Sequence, residues 1–173
     1  TTFTRFVPAP YLRRSFTLAQ LPSSATVTIC GLGFYELFIN GVRITKGALA
    51  PYVSNPDDIL YYDRYDVLPH LRPGKNVIAV MLGNGMLNCP GGDIWDFQLA
   101  RFRSAPKVAL AYEAEEESGE KTCFEADAQF RCASSPIYFD DLRAGEFYDA
   151  RLEIPCWNLP DFDDSGWQPA LPA

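Results

Sequence analysis

The chain has 173 residues, 47% of them hydrophobic and 21% charged, which is enough apolar material for one sizeable core, short for two, and too hydrophobic for a disordered segment. The expected organisation is therefore one unit over residues 1–173. A net charge of −7 with a pI near 4.7 sets the surface against phosphate backbones and anionic lipid, so neither nucleic acid nor a membrane is an expected partner.

Short apolar or alternating runs, separated by Gly, Pro, Asn and Asp, dominate from the start and predict antiparallel strands with little helix. Arg13–Leu18 opens the series. Ala25–Cys30 alternates so that Ala25, Val27 and Ile29 share one face, which predicts a strand with one buried side. Phe34–Ile39 runs into Asn40-Gly41, a dipeptide suited to the positive φ angles of a type I′ turn, and Val42–Ile44 completes a hairpin. Ile59–Tyr65 reads as a further strand, after which Asp66 is placed to cap a short helical turn over Val67–Leu71. Arg72-Pro73-Gly74-Lys75 turns the chain into Asn76–Leu82.

From Gly83 to Phe97 the pattern breaks into a loop with Gly83, Gly85, Gly91, Gly92 and Pro90, long for a compact fold and expected to be exposed. Strand texture resumes at Lys107–Tyr112, Thr122–Glu125 and Gln129–Ala133. The acidic run at Glu113 and Glu115–Glu117, followed by Ser118-Gly119, reads as a solvated turn between the first two. Ile137–Asp149 mixes aromatics with acids. Residues 153–173 form an extended tail whose Trp157, Phe162 and Trp167 are expected to dock on the sandwich or on a neighbouring domain.

Five cysteines at wide spacing and a single histidine suit neither a dense disulfide framework nor a histidine-based metal or Ser-His site. The thiols are read as reduced and buried, and His70 as a surface loop residue. No run reaches the roughly 20 apolar residues of a membrane span, and no basic-then-apolar leader opens the chain, so a cytoplasmic location is expected.

Four separated segments resemble the N-terminal domain of bacterial α-L-rhamnosidases: Gly31–Gly41, Asn76–Gly85, Ser135–Ile137 with Gly145–Arg151, and Phe162–Trp167. The resemblance implies an all-β, jelly-roll-like, galactose-binding-like antiparallel sandwich, with the tail leading to an (α/α)-barrel that lies outside this chain. In the inverting glycoside hydrolases of this family, that barrel removes terminal L-rhamnose from plant glycosides or polysaccharides. Some sandwich modules of the family hold L-rhamnose with the help of a calcium ion, and others only pack against the rest of the enzyme.

Hydrolysis of a glycoside by inversion needs an acid and a base on opposite sides of one sugar ring. The acidic pairs Asp57-Asp58, Asp140-Asp141 and Asp163-Asp164 stand beside turn-forming residues, where carboxylates cap turns, so no catalytic residue is assigned. Sugar binding asks for an aromatic face and a few planar polar groups. Asn84, Asp93, Trp95 and Asp96 supply these near Gly83–Phe97, although Met86 stands where many relatives carry Trp. Asp93 and Asp96 with Asn84 or Asn88 would give calcium only part of its shell of about six oxygens, so no metal is assigned. In Gly145–Arg151, extended chain places Glu146 and Tyr148 on one face and Asp149 and Arg151, an expected ion pair, on the other. Glu146, Tyr148, Asp149, Arg151, Trp157 and Trp167 are accordingly assigned to an interface with the catalytic domain of the same parent chain. The expected role is thus a non-catalytic docking domain, with a module recognising L-rhamnose or a related sugar as the alternative.

Overall fold

The computed structural model of the chain describes residues 7–89 and 99–172. Its strands are β1 (Pro10–Leu18), β2 (Ser24–Leu32), β3 (Phe34–Ile39), β4 (Val42–Arg43), β5 (Asp63–Asp66), β6 (Gly74–Gly83), β7 (Lys107–Glu115), β8 (Lys121–Glu125), β9 (Arg131–Ser134), β10 (Ile137–Asp141), β11 (Gly145–Tyr148) and β12 (Gln168–Pro169). One sheet runs β12-β9-β1-β6-β3-β4, a second runs β5-β2-β7-β8, and β10 and β11 form a separate hairpin. The pairings are antiparallel. The fold is the all-β antiparallel sandwich that the turn-punctuated runs predict, in the jelly-roll-like form that the family resemblance implies.

Strand periodicity fixes what lies between the sheets. Ala25, Val27 and Ile29 of β2 face inward, as do Tyr35, Leu37 and Ile39 of β3 and Ile78, Val80 and Leu82 of β6, meeting Leu110 and Tyr112 of β7 in one core. Each fully buried large aliphatic contributes roughly 1.5–3 kcal/mol of transfer free energy. Phe16, Tyr112 and Phe124 close one side of this core, with ring centroids 4.8–5.4 Å apart. The β6 strand is buried on both faces, because Val77 and Ala79 on its outer side are also fully covered. That run reads as continuously apolar for this reason.

The turns follow their chemistry. Asn40 (φ 51°) and Gly41 (φ 86°) make the β3–β4 turn in the left-handed region. The Asp66 carboxylate accepts a hydrogen bond from Leu68 N at 3.1 Å ahead of the 3-10 turn Leu68–His70. The acidic run turns from β7 into β8 through Glu116 N to Glu120 O, 2.8 Å, and Gly119 N to Glu116 O, 2.9 Å.

Several sequence expectations need correction. Within Ile59–Tyr65 only the last residues pair, Asp63–Asp66 against Thr26–Ile29. Ile59, Leu60, Tyr61 and Tyr62 are exposed instead, since an apolar run registers hydrophobicity but cannot register whether a partner strand exists. The β9 strand begins at Arg131 rather than Gln129, because Asp127 holds Gln129 N through its side chain at 2.8 Å and Phe130 N through its carbonyl at 3.0 Å. Residues 137–149 form a hairpin. None of the five thiols is in a disulfide, and only Cys89, whose Sγ donates to Asp141 at 3.4 Å, is fully buried; Cys123 and Cys156 are exposed. Cys123 lies on the thinly covered edge strand β8, and Cys156 occupies a turn with φ 62°.

Candidate functional site

The first two resembling segments meet in space because β3 and β6 pair, from Phe34 opposite Gly83 to Ile39 opposite Ile78. At one end of this pair two asparagines interlock. Asn40 Nδ2 donates to Asn76 Oδ1 at 2.7 Å and to His70 O at 2.8 Å, and Asn40 Oδ1 accepts from Val77 N at 2.9 Å. Asn76 Nδ2 donates to the carbonyls of Arg72 and Gly74 at 2.7 and 2.9 Å. Buried amides of this kind are stable only when fully paired, and here they pin the hairpin turn to the start of β6. At the other end Gly33 (φ 106°) lies so close to β6 that a Cβ would stand 2.3 Å from Gly83 O.

Asn84 sits just past β6 and is 2% exposed. Its Nδ2 donates to Asp140 Oδ2 at 2.8 Å and to Val7 O at 2.7 Å, while Asp140 Oδ1 accepts from Asn84 N at 2.8 Å. Its Oδ1 accepts from Asn88 Nδ2 at 2.7 Å, and Asn88 Oδ1 in turn accepts from Arg103 Nε at 3.1 Å. The amide is thus buried and committed to the fold, where the sequence suggested a group presented to a ligand; the reason is that Asp140, 56 residues away, arrives beside it on β10. Asp93, Trp95 and Asp96 lie outside the described residues.

Calcium can be tested against the same geometry. Among the described residues no group of three or more His, Cys, Asp or Glu side chains converges to hold a metal. The two amide oxygens nearest the loop accept from an amide and a guanidinium, which is not an arrangement for a cation. Asp93 and Asp96, the two carboxylates that calcium would need beside these amides, lie outside the described residues.

The third segment builds the β10–β11 hairpin and its exit. Asp141 Oδ1 caps the turn by accepting from Arg143 N and Ala144 N, both at 2.8 Å. Asp149 N donates to Pro136 O at 3.0 Å, and Asp149 caps the 3-10 turn Ala150–Leu152 by accepting from Arg151 N. The expected Asp149–Arg151 pair is present at 2.6 Å. The Arg151 hydrogen bonds hold the Asp149 carboxyl below the ordinary carboxylate range, and the same bonds raise Arg151. Tyr148 donates to Glu153, which pushes the phenol upward. Tyr138, Phe147, Tyr148 and Leu152 are all about half exposed, with Phe147 stacked on Phe139 at 5.0 Å. Between this hairpin and the outer face of β3 and β6 lies a cleft of about 320 Å³ lined by Phe34, Glu36, Leu49, Leu142 and Glu146 among others. Glu36 is ion-paired with Arg43 at 2.7 Å.

The fourth segment answers what the tail does. Trp157 stacks on Tyr11 with centroids 3.8 Å apart, Trp167 lies parallel on the same ring at 6.4 Å, and Phe38, Ala79 and Met81 complete a second small core on the outer face of the larger sheet. Trp157 is therefore buried against the domain's own sheet, and Trp167 is half-buried there. Both belong to the tail's own docking because β1, β3 and β6 leave an apolar outer face.

Beside them Arg13, fully buried, points out of β1 beneath the tail. It donates to Asp164, to Leu159 O at 2.9 Å and to Phe162 O at 3.4 Å, with the Phe162 ring 5.2 Å from its guanidinium carbon. Burial lowers the Arg13 pKa and Asp164 acts against that shift. Sequence reasoning missed this residue and Asp140, since an arginine in a strand, here one of the pair Arg13-Arg14, reads as solvent-facing. The available signal was that Asp164 stands inside a resembling segment while its neighbour Asp163 does the turn capping, accepting from Ser165 N at 3.0 Å.

Comparison with known proteins agrees with this arrangement. Residues 20–173 match the family described as the α-L-rhamnosidase N-terminal domain. An α-L-rhamnosidase of Formosa agariphila is 33% identical over 163 residues, covering 92% of this chain and 17% of the relative. The structure of α-L-rhamnosidase from Dictyoglumus thermophilum superposes with a TM-score of 0.87 at 38% identity, over 97% of this chain and 18% of that one. The Streptomyces avermitilis α-L-rhamnosidase, solved in complex with L-rhamnose, does so with a TM-score of 0.86 at 32% identity, over 95% and 16%. The chain spans less than a fifth of the length of these relatives. With the fold, the order of its four segments and these matches in agreement, the chain belongs to the α-L-rhamnosidase N-terminal domain family.

Proposed function

We propose that this chain is a non-catalytic accessory domain that docks against and orients the catalytic domain of an α-L-rhamnosidase, an enzyme that hydrolyses terminal α-L-rhamnose from glycosides. The observation that carries the reading is how the segments shared with the family use their polar groups. Asn40, Asn76, Asn84, Asp163 and Asp164 of those segments, and Asp140 and Asp141 between two of them, all bond within the domain, as caps or clasps. Such residues hold a shape, and the shape they hold presents half-exposed aromatics on the β10–β11 hairpin. Glu146 and Tyr148 stand there, on the surface where a neighbouring domain would pack.

One observation favours a second reading, a carbohydrate-binding module for L-rhamnose or a related sugar: the cleft beside the hairpin is large enough for a monosaccharide and sets Phe34 near Glu36 and Glu146. Calorimetric titration with L-rhamnose, with and without calcium, separates the two. Docking predicts flat titrations. Saturable heat that disappears in Glu146→Gln would establish sugar binding in the cleft instead.

A further inference from the structure

An exposed apolar surface runs along the connection from Leu49 to Tyr62 between β4 and β5, beside the first resembling segment. Leu49, Tyr52, Ile59, Leu60, Tyr61 and Tyr62 are 44–84% exposed. Six large side chains this exposed on one connection are more than the scattered single apolar residues of an ordinary surface, and such clusters mark interaction sites.

This connection is built, not slack. Ala50 O accepts from Tyr35 N at 2.8 Å, tying its base to β3. Asn55 organises the tip: its carbonyl accepts from Asp58 N and Ile59 N at 3.0 Å, its Nδ2 donates to Asp58 at 2.6 Å and its Oδ1 accepts from Asp57 N at 3.2 Å. Tyr52 and Tyr61 pack edge to face at 6.4 Å across the loop. An ordered loop that turns its apolar side chains outward has already lost the entropy that binding would otherwise cost.

Resting on the docking reading above, we propose that this face, between β4 and β5, is a principal contact of the domain with the remaining polypeptide of its parent rhamnosidase. The contact expected on that polypeptide is an apolar surface carrying a basic side chain opposite Asp57 and Asp58. The related chains are several times longer than this one, so the relatives supply ample polypeptide to cover such a face. A second copy fits poorly, because symmetric pairing would bring both copies' Asp57 and Asp58 into the contact and join two chains of net charge −7. A sugar would find ring faces in Tyr52, Tyr61 and Tyr62 but also Leu49, Ile59 and Leu60, which offer its hydroxyls no partner, and hydroxyl-radical labelling separates the two occupants.

Hydroxyl-radical footprinting tests this, comparing the 173-residue chain with the longer rhamnosidase polypeptide that contains it. Labelling of Tyr52 and Tyr62 should be about tenfold slower or more in the longer polypeptide, as for side chains in the dry centre of an interface. Leu21 in the β1–β2 connection should label equally in both. Tyr52→Asp combined with Leu60→Asp, both at exposed positions, should return Tyr62 to the rate of the isolated chain. Equal rates for Tyr52 and Tyr62 in the two wild-type forms would overturn the proposal. If Phe147 and Tyr148 are protected in that case, docking stands and only this face is wrong; if they are not, docking fails too. Protection of Tyr52 in the isolated chain that grows with protein concentration, or with added L-rhamnose, would assign the face to a second copy or to a sugar and would equally overturn it.

Discussion

The guanidinium of Arg13 is the point where the tail is tied to the sheet, and removing its partner should release that tie measurably. In Asp164→Ala the buried cation keeps the carbonyls of Leu159 and Phe162 but loses its only counter-charge among the described residues. Breaking a fully buried pair costs about 3–5 kcal/mol. The Asp164 side chain retains 26% of its exposure, so water can partly replace it and the expected loss is about 2–3 kcal/mol. For a urea m-value of about 2 kcal/mol/M, that shift moves the unfolding midpoint by roughly 1–1.5 M. Tryptophan emission reports the same event locally, because the tail's own Trp157 is stacked on Tyr11 and its emission should shift to the red as the tail lifts. Should the tail detach before the sandwich unfolds, the loss in global stability is capped at the tail's own docking free energy, and hydrogen exchange over residues 153–169 rises while β6 stays protected. A midpoint unchanged within about 0.25 M, with unaltered emission and exchange, would refute the clasp.

Other consequences follow from the same contacts. The Tyr112 hydroxyl is buried with no hydrogen-bond partner, so Tyr112→Phe should leave stability unchanged or raise it by up to about 1 kcal/mol in urea titration, and a marked loss would mean that the hydroxyl is satisfied. Burial pushes Tyr11 and Tyr112 up to about 12 from roughly 10 when unfolded. As neutral phenols they contribute fully below about pH 10, and the contribution is lost as pH rises through about 12, so the urea midpoint should fall over that window, less steeply in Tyr11→Phe. Asn84→Ala strips three side-chain hydrogen bonds from a buried junction while keeping the backbone N–H bond to Asp140, and should cost about 2–4 kcal/mol in thermal unfolding, whereas a fully stable variant would reopen the amide as a ligand group. Gly41→Ala must place a Cβ 2.5 Å from Leu159 Cδ2 at φ 86°, and should lower stability by about 1–2 kcal/mol and loosen the tail as well as the hairpin.

How far the sequence announces this structure depends on the range of the interaction. Local chemistry is plainly written: Asn40-Gly41 turns where it should, Asp66 bonds Leu68 N at the entry to the 3-10 turn although Val67 takes the cap position, and the alternation in Ala25–Ile29 puts the right side chains in the core. Contacts between distant segments are not written in any window. Arg13 and Asp164 are 151 residues apart, and Asn84 and Asp140 are 56 apart, so Asn84 resembles a free amide in a glycine loop until β10 is brought beside it. Ile59–Tyr62 shows the converse, an apolar run that predicts burial but finds no cover within the described chain. Trp157 and Trp167 were legible as docking residues, but not their partner, because the apolar outer face formed by Tyr11, Phe38 and Ala79 comes from three strands.

The central claim is that this sandwich serves rhamnoside hydrolysis without performing it, and incubation of the purified 173-residue chain with an aryl α-L-rhamnoside tests it most directly. The account predicts no release of the aryl alcohol above the buffer rate at any protein concentration. Saturable release that scales with the protein and is abolished in Glu36→Gln or Glu146→Gln would contradict it, and would make the cleft beside the hairpin an active site.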